Sequence, residues 1–302
     1  MRKILIAAAA AGLVTTPAQA ADDSAPSVYE PSGPWQADFG EDYCRLARSF
    51  SDGEHELFLA LERIQPGPMA RLILIGDEFR LFRRATQLGY RYLPSGDDRM
   101  ALLLRSETGD GQQYLNLGDI MMGPAFVPPE PGSPPTPPAP YTREGELDFA
   151  KDVTGIELDE GLLQSMQIDT GALKAPIEVL QACADDLLKY WGLDPEKHKT
   201  LTRPAFPASD ATKWLPAGTL SFEDFGKLSG GANQIRLLLD EAGKPKSCDV
   251  HWPSLSENTN KAVCKALLEK AEYTPALDVS GQPMASYAMI NAVFLFPPFG
   301  GT

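Results

Sequence analysis

The chain has 302 residues, of which 43% are hydrophobic and 23% charged, so its composition is that of a folded protein with room for two domains. Lysine and arginine together number 27 against 41 aspartates and glutamates, which gives a net charge of −14. This acidic balance, without a long basic run, argues against nucleic acid and against an anionic membrane surface as partners.

The first twenty residues have the three parts of a secretory signal peptide. Arg2 and Lys3 form a positive start, residues 4–14 form an apolar run, and Ala18-Gln19-Ala20 offers a cleavage site. The alternative is a membrane anchor, but a span needs about 20 apolar residues and this run is shorter. The pattern therefore predicts cleavage of residues 1–20 and an exported, soluble, periplasmic protein that has no membrane span afterwards.

Composition shifts divide the rest of the chain. Proline occupies nine of the 17 positions in 124–140, which removes backbone donors and predicts an extended loop outside any core. Periodicity predicts strands before this loop and one long helix after it. The predicted divisions are a flexible tail (21–34), a β-rich domain (35–192) with the proline-rich loop and helix 174–191, a linker (193–213) and a second domain (214–302).

The second domain has the order strand, turn, strand, helix, strand. Alternating apolar residues at 235–239 precede a turn at 240–244, and Lys246, Cys248, Val250 and Trp252 share one face of the return strand. Ser254 and Glu257 form a capping-box pattern for a helix that runs to about 271. A final strand is predicted at 287–296.

This segment resembles the C-terminal domain of TonB-family energy transducers. The matching residues are Ile235 to Lys244 with its Asp-x-x-Gly turn, a helix that contains Ala262, then Tyr273-Thr274-Pro275-Ala276 and Gly281-Gln282-Pro283. The chain differs from the family in having Leu215-Pro216 where a Tyr-Pro pair is common, and in its cleavable signal and extra domain. Without an anchor a chain cannot pull against the inner membrane, so energy transduction is not expected.

Together with the periodicity of the N-terminal part, the resemblance implies an α+β fold, in which a β-rich N-terminal domain with one long helix precedes a small ββαβ domain with an antiparallel sheet. It also implies that a protein partner, such as an outer-membrane transporter, adds a strand to the last strand of that sheet. The more apolar face of the strand should then pack on the helix, and it consists of Ala288, Ile290, Ala292, Phe294 and Phe296. The face offered to the partner consists of Tyr287, Met289, Asn291 and Val293.

Two other interpretations of the last strand and of the whole chain stay open. The strand's edge could be paired within the domain or in a homodimer. The chain could then be a structural or adaptor protein of the cell envelope with no transducing role.

Four cysteines allow three disulfide pairings in an oxidising compartment. Cys248 shares a strand face with apolar residues and Cys264 lies on the apolar stripe of the helix that covers it. Cys44 and Cys183 have the same relation to an earlier strand and to helix 174–191. The periodicity therefore predicts Cys44–Cys183 and Cys248–Cys264.

The sequence offers no constellation for catalysis, so we predict neither an enzyme nor a cofactor. His55, His198 and His251 stand apart in polar surroundings and without ligand spacing, which predicts solvated side chains and no metal site. The alternative, a secreted enzyme, would need its site in the N-terminal domain.

Overall fold

The computed structural model describes residues 25–77, 79–123, 142–228 and 232–295. The predicted signal peptide (1–20) and the proline-rich segment (124–140) lie outside these described residues. In the described ranges, no helix is long and apolar enough to cross a membrane. The five helices that these ranges contain are α1 (Arg143–Asp152), α2 (Lys174–Tyr190), α3 (Pro195–Lys199), α4 (Phe222–Lys227) and α5 (Glu257–Lys270).

Eleven strands form one large sheet, which we call the large sheet. They are β1 (Ser27–Pro31), β2 (Gln36–Phe39), β3 (Cys44–Ser51), β4 (Glu56–Arg63), β5 (Met69–Gly76), β6 (Gln87–Leu93), β7 (Arg99–Leu102), β8 (Leu104–Glu107), β9 (Gln113–Met121), β10 (Gly155–Leu158) and β11 (Met166–Ile168). Their order is β7-β6-β10-β11-β1-β3-β4-β5-β9-β8, with β2 paired to β3.

The large sheet curls until its two ends nearly meet. β7 and β8 lie at opposite ends of the strand order, yet only Leu103 separates them along the chain. The two ends must therefore be neighbours, and the sheet is nearly a barrel, an arrangement that leaves few free strand edges. Alternation sends Leu57, Leu59 and Leu61 of β4 into the core, while Ala60 faces the other side with Ile73.

Helix α2 covers this core, close to the predicted bounds. Its apolar stripe, which includes Ile177 and Leu187, is buried, and Gly192 follows at φ +75°, a conformation that favours glycine after a helix. The Cys44–Cys183 disulfide ties α2 to β3.

The remaining strands are short or belong to a second sheet. They are β12 (Phe206–Pro207), β13 (Gln234–Leu239), β14 (Pro245–His251), β15 (Tyr273–Thr274), β16 (Ala276–Leu277), β17 (Pro283–Met284) and β18 (Ser286–Asn291). An antiparallel sheet of order β14-β13-β18, which we call the small sheet, packs one face on α5.

The contacts of the small sheet with α5 follow the sequence pattern. Ile235, Ala288 and Ile290 share a core with Val263 and Leu267. Cys248 of β14 is bonded to Cys264 of α5. Both predicted disulfides are therefore confirmed, and the chain has the mixed helix and strand content that the sequence predicts.

Several predictions about local structure are wrong. The tail predicted at 21–34 contains β1, which pairs in parallel with β11 at Ser27↔Met166, a partner too distant along the chain for local patterns to reveal. The linker predicted at 193–213 contains α3, and β12 pairs with β15. Ser256, not Ser254, caps α5, because its hydroxyl accepts the Thr259 backbone N–H.

The disulfides allow a stability test. Loop entropy predicts that the Cys44–Cys183 bond, with a sequence separation of 139, contributes about 5 kcal/mol, and the Cys248–Cys264 bond, with a separation of 16, about 3 kcal/mol. Replacing each pair by alanines should therefore lower the free energy of unfolding more for the first pair than for the second. Urea denaturation measures both, and a larger loss for the Cys248–Cys264 pair would contradict this order.

Candidate functional site

The candidate site is the outer edge of the small sheet, which β18 forms. β18 pairs with β13 from Ser286↔Leu239 to Asn291↔Gln234, and no other strand among the described residues pairs with it. The Ala292 backbone N–H donates to the Asn233 carbonyl at 3.3 Å, on the β13 side. Because backbone groups alternate in direction along an antiparallel strand, those of Tyr287, Met289 and Asn291 point to the free side.

A groove follows this free edge. It consists of two adjoining cavities of about 500 and 300 Å³, both of which contact Gln65, Met289 and Ile290. The larger cavity reaches Asn291, and the smaller one reaches Ser286. The groove therefore runs the length of β18, and we call it the β18 groove.

The opposite wall of the β18 groove is an edge of the large sheet. Met100 and Leu102 of β7 line the larger cavity and are 48% and 53% exposed, high values for such apolar side chains. The Leu103 backbone N–H donates to the Thr86 carbonyl, so by alternation the backbone groups of Met100 and Leu102 face away from β6. An exposed apolar strand edge is a site for pairing with another chain.

A β-bulge in β9 brings a carboxylate into the groove. The β5–β9 register shifts between Arg71↔Asp119 and Ile73↔Asn116, which gives β9 one extra residue, and Gly118 adopts φ +64° there. Leu115, Leu117 and Ile120 point into the core of the large sheet. The bulge thus turns Asp119 outward, where unbroken alternation would have buried it.

The second face of the small sheet rests on the amino-terminal part of the chain. Tyr287 packs edge-on against Trp191, with ring centroids 5.4 Å apart, and stacks on His198. Burial raises the pKa of the Tyr287 hydroxyl. The side chain predicted to face a partner is therefore covered by this chain itself.

The other three residues of the predicted edge divide between two places. Met289 and Asn291 line the groove. Val293 lies beyond the end of β18, in the 3₁₀ segment Ala292–Leu295, and packs on the core of the small sheet. The predicted strand at 287–296 ends early because the Asn291 side chain accepts the Val293 backbone N–H at 2.9 Å, which turns the chain.

Arg236 of β13 is the charged contact between the two sheets. It is 4% exposed, and its guanidinium lies 2.8 Å from the carboxylate of Asp42 and 3.1 Å from that of Asp249. The same group lies 4.3 Å from the centre of the Trp191 ring, a cation–π contact. Two carboxylates and an aromatic ring thus compensate a cation removed from water.

Trp252 makes a second contact of this kind. The sequence predicts that it shares the core face of β14, but its φ of +47° turns it away from that face. Its indole N–H donates to the Glu62 carboxylate at 3.0 Å, and the Arg71 guanidinium lies 3.3 Å from the ring centre. Positive φ is uncommon outside glycine, so the sequence pattern could not anticipate this rotation.

The histidine predictions are wrong for two of the three residues. His251 is buried at the interface, and desolvation, with the Arg236 charge next, lowers its pKa to about 4. His198 also has a lowered pKa, chiefly because of burial, and its Nε2 lies 3.2 Å from the Ser286 hydroxyl. Both residues have polar neighbours in the sequence, but their side chains pack against another part of the chain.

The groups that line the β18 groove are suited to binding another chain. It presents unpaired backbone groups, apolar walls, amide side chains and one carboxylate. No group of three histidine, cysteine, aspartate or glutamate residues in the described ranges could hold a metal ion. Comparisons with protein families, with curated protein sequences and with solved structures find no match to this chain.

The buried His251 should make stability depend on pH. The unfolded state takes up a proton near pH 6.5 and the folded state only near pH 4, so folding weakens as pH falls through this window. The loss should reach about 3 kcal/mol by pH 4. His251→Gln should flatten the dependence of the free energy of unfolding on pH, measured by urea denaturation at pH 7 and pH 4.5.

The control is His55→Gln, since His55 lies on the β3–β4 turn beside Asp52 and outside the interface. This variant removes an exposed contact with Asp52, so it should change the wild-type difference between the two pH values by less than about 1 kcal/mol. An equal difference in the wild type and in His251→Gln would show that His251 is not the source.

Proposed function

We propose that this protein binds an extended segment of another protein by adding it as a strand to the free edge of β18. The observation that carries the proposal is the continuous groove along an edge whose Tyr287, Met289 and Asn291 backbone groups have no partner strand among the described residues. Three such residues offer donors and acceptors in the spacing of an antiparallel ladder. The main chain of the bound segment supplies the complementary groups.

The strength of this binding follows from its parts. Each main-chain hydrogen bond contributes about 0.5–1.5 kcal/mol net, because water is displaced on both sides. Contacts with Met100, Leu102 and Met289 add apolar burial. Ordering a flexible segment costs free energy, so we expect about micromolar affinity, suited to a reversible encounter.

The setting of the function follows from the sequence. The resemblance of residues 214–298 to the TonB C-terminal domain supports a partner in the cell envelope, such as an outer-membrane transporter. The predicted signal peptide and the two disulfides support the periplasm as the compartment. Capture of the partner, without energy transduction, is the role that we propose, and a structural adaptor is the alternative.

A backbone variant tests strand addition. Asn291→Pro removes one N–H from the free edge and leaves the bonds to β13 intact, since the Ala288 and Ile290 backbone groups face β13. Phage-displayed random dodecapeptides are selected on the wild-type protein, and binding of the enriched peptides is measured by calorimetry. Affinity should fall about tenfold or more in Asn291→Pro, with circular dichroism unchanged.

Asn291→Ala is the matched control, because it removes the same side chain and keeps the backbone N–H. It should lose much less affinity than Asn291→Pro, since only the contacts of the side chain are removed. Equal affinity for all three proteins would refute strand addition at this edge. A stable dimer of the wild type in sedimentation, broken by Asn291→Pro, would instead assign the edge to a second copy of the chain.

A further inference from the structure

The β18 groove contains one charged side chain. Asp119 is the one charged residue among the described residues that line the two cavities, whose other polar side chains include Gln65, Gln234 and Asn291. The β9 bulge at Gly118 places this carboxylate in the larger cavity. A single charge in a groove that is otherwise lined by uncharged side chains can discriminate between ligands of different charge.

The surroundings of Asp119 favour an added cation. No salt bridge in the described part of the chain uses Asp119, and its carboxylate accepts a long hydrogen bond from the Gln234 amide, at 3.4 Å. Arg71 lies opposite in the β5–β9 register, and its charge partly offsets the effect of burial on the pKa of Asp119, while its guanidinium is stacked on Trp252. Although solvent reaches the carboxylate, the surrounding atoms displace enough water to raise the pKa of Asp119.

The register places Asp119 beside the far end of the free edge. Gln234, which contacts Asp119, pairs with Asn291 across β13 and β18. A strand bound along β18 passes this point, and its side chains alternate between two faces. Met100 and Leu102 line the same cavity and provide an apolar surface next to the carboxylate.

We infer that the segment captured along β18 carries a lysine or arginine that pairs with Asp119, next to an apolar residue that contacts Met100 and Leu102. This inference rests on the proposed strand addition and specifies its ligand. The pair forms where apolar walls exclude part of the water, so it discriminates more strongly than an exposed ion pair. Basic peptides also associate faster with a protein of net charge −14.

The test uses the dodecapeptides enriched on the wild-type protein. They should contain a lysine or arginine at a fixed distance from an apolar residue. The strongest binder is synthesised as two peptides, one with its basic residue and one with glutamine at the same position. Asp119→Asn should lower the affinity for the basic peptide about tenfold and leave the affinity for the glutamine peptide unchanged. Glu107→Gln, an exposed substitution in β8 outside the groove, should change neither affinity.

Reversing the charge at Asp119 gives a result that a purely structural role of this residue could not produce. Asp119→Lys should prefer a third peptide, with glutamate in place of the basic residue, over the original peptide. This rescue identifies a direct pair between the two side chains.

The outcomes separate the inference from the function on which it rests. One result would overturn the inference and leave strand addition supported. In it, the enriched peptides bind Asn291→Pro more weakly than the wild type, are not enriched in lysine or arginine, and bind Asp119→Asn with wild-type affinity. Basic peptides that depend on Asp119 and ignore Asn291→Pro would overturn strand addition. No enrichment over an uncoated surface would overturn both.

Discussion

The guanidinium of Arg236 determines how the small sheet sits on the large sheet. Removing this cation from water is costly, and the cost is offset only where Asp42, Asp249 and the Trp191 ring surround it together. Asp42 precedes β3 and Trp191 ends α2, whereas Asp249 belongs to β14. The charge is thus compensated by groups from both parts of the chain, in the arrangement that also forms the β18 groove.

The groove forms because the large sheet does not close completely and because the small sheet ends after three strands. The large sheet curls until β7 approaches β9, but β7 keeps an edge with exposed Met100 and Leu102. The small sheet ends at β18, so a second edge faces the same space. Proteins usually protect such edges with charges, prolines or bulges. Here each edge lies inside a groove, which limits aggregation while leaving room for one extended segment.

Local patterns in the sequence were sufficient for part of this structure. The 3.6-residue period of α2 and the two-residue period of β14 placed the cysteines on facing surfaces, and from these both disulfides follow. The same alternation predicted which residues of β18 meet α5, because that face is simply apolar. The second face of the small sheet was misjudged. His251 looks like a solvated residue in the sequence, and only the packing of the two sheets shows that it is buried, as Arg236 is.

Two features of the structure depend on positions that no short-range pattern reveals. β1 joins the large sheet through β11, far along the chain. Asp119 faces outward because of one extra residue in β9, and the signal for it is a glycine within an apolar strand, Gly118. A glycine in that context suggests a bulge, but which side chain it redirects depends on the register with β5. Thus the edge of β18 could be proposed from sequence as a binding edge, and the carboxylate beside it could not.

Residue-resolved amide hydrogen exchange of β18, followed by NMR with and without a selected peptide, tests strand addition most directly. In the free protein the amides of Met289 and Asn291 should exchange quickly, because they face the groove, while those of Ala288 and Ile290 should exchange slowly, because they face β13. Peptide should slow the exchange of Met289 and Asn291 and leave the other pair unchanged. Equal protection of all four amides in the free protein, or peptide binding without added protection at Met289 and Asn291, would contradict the account.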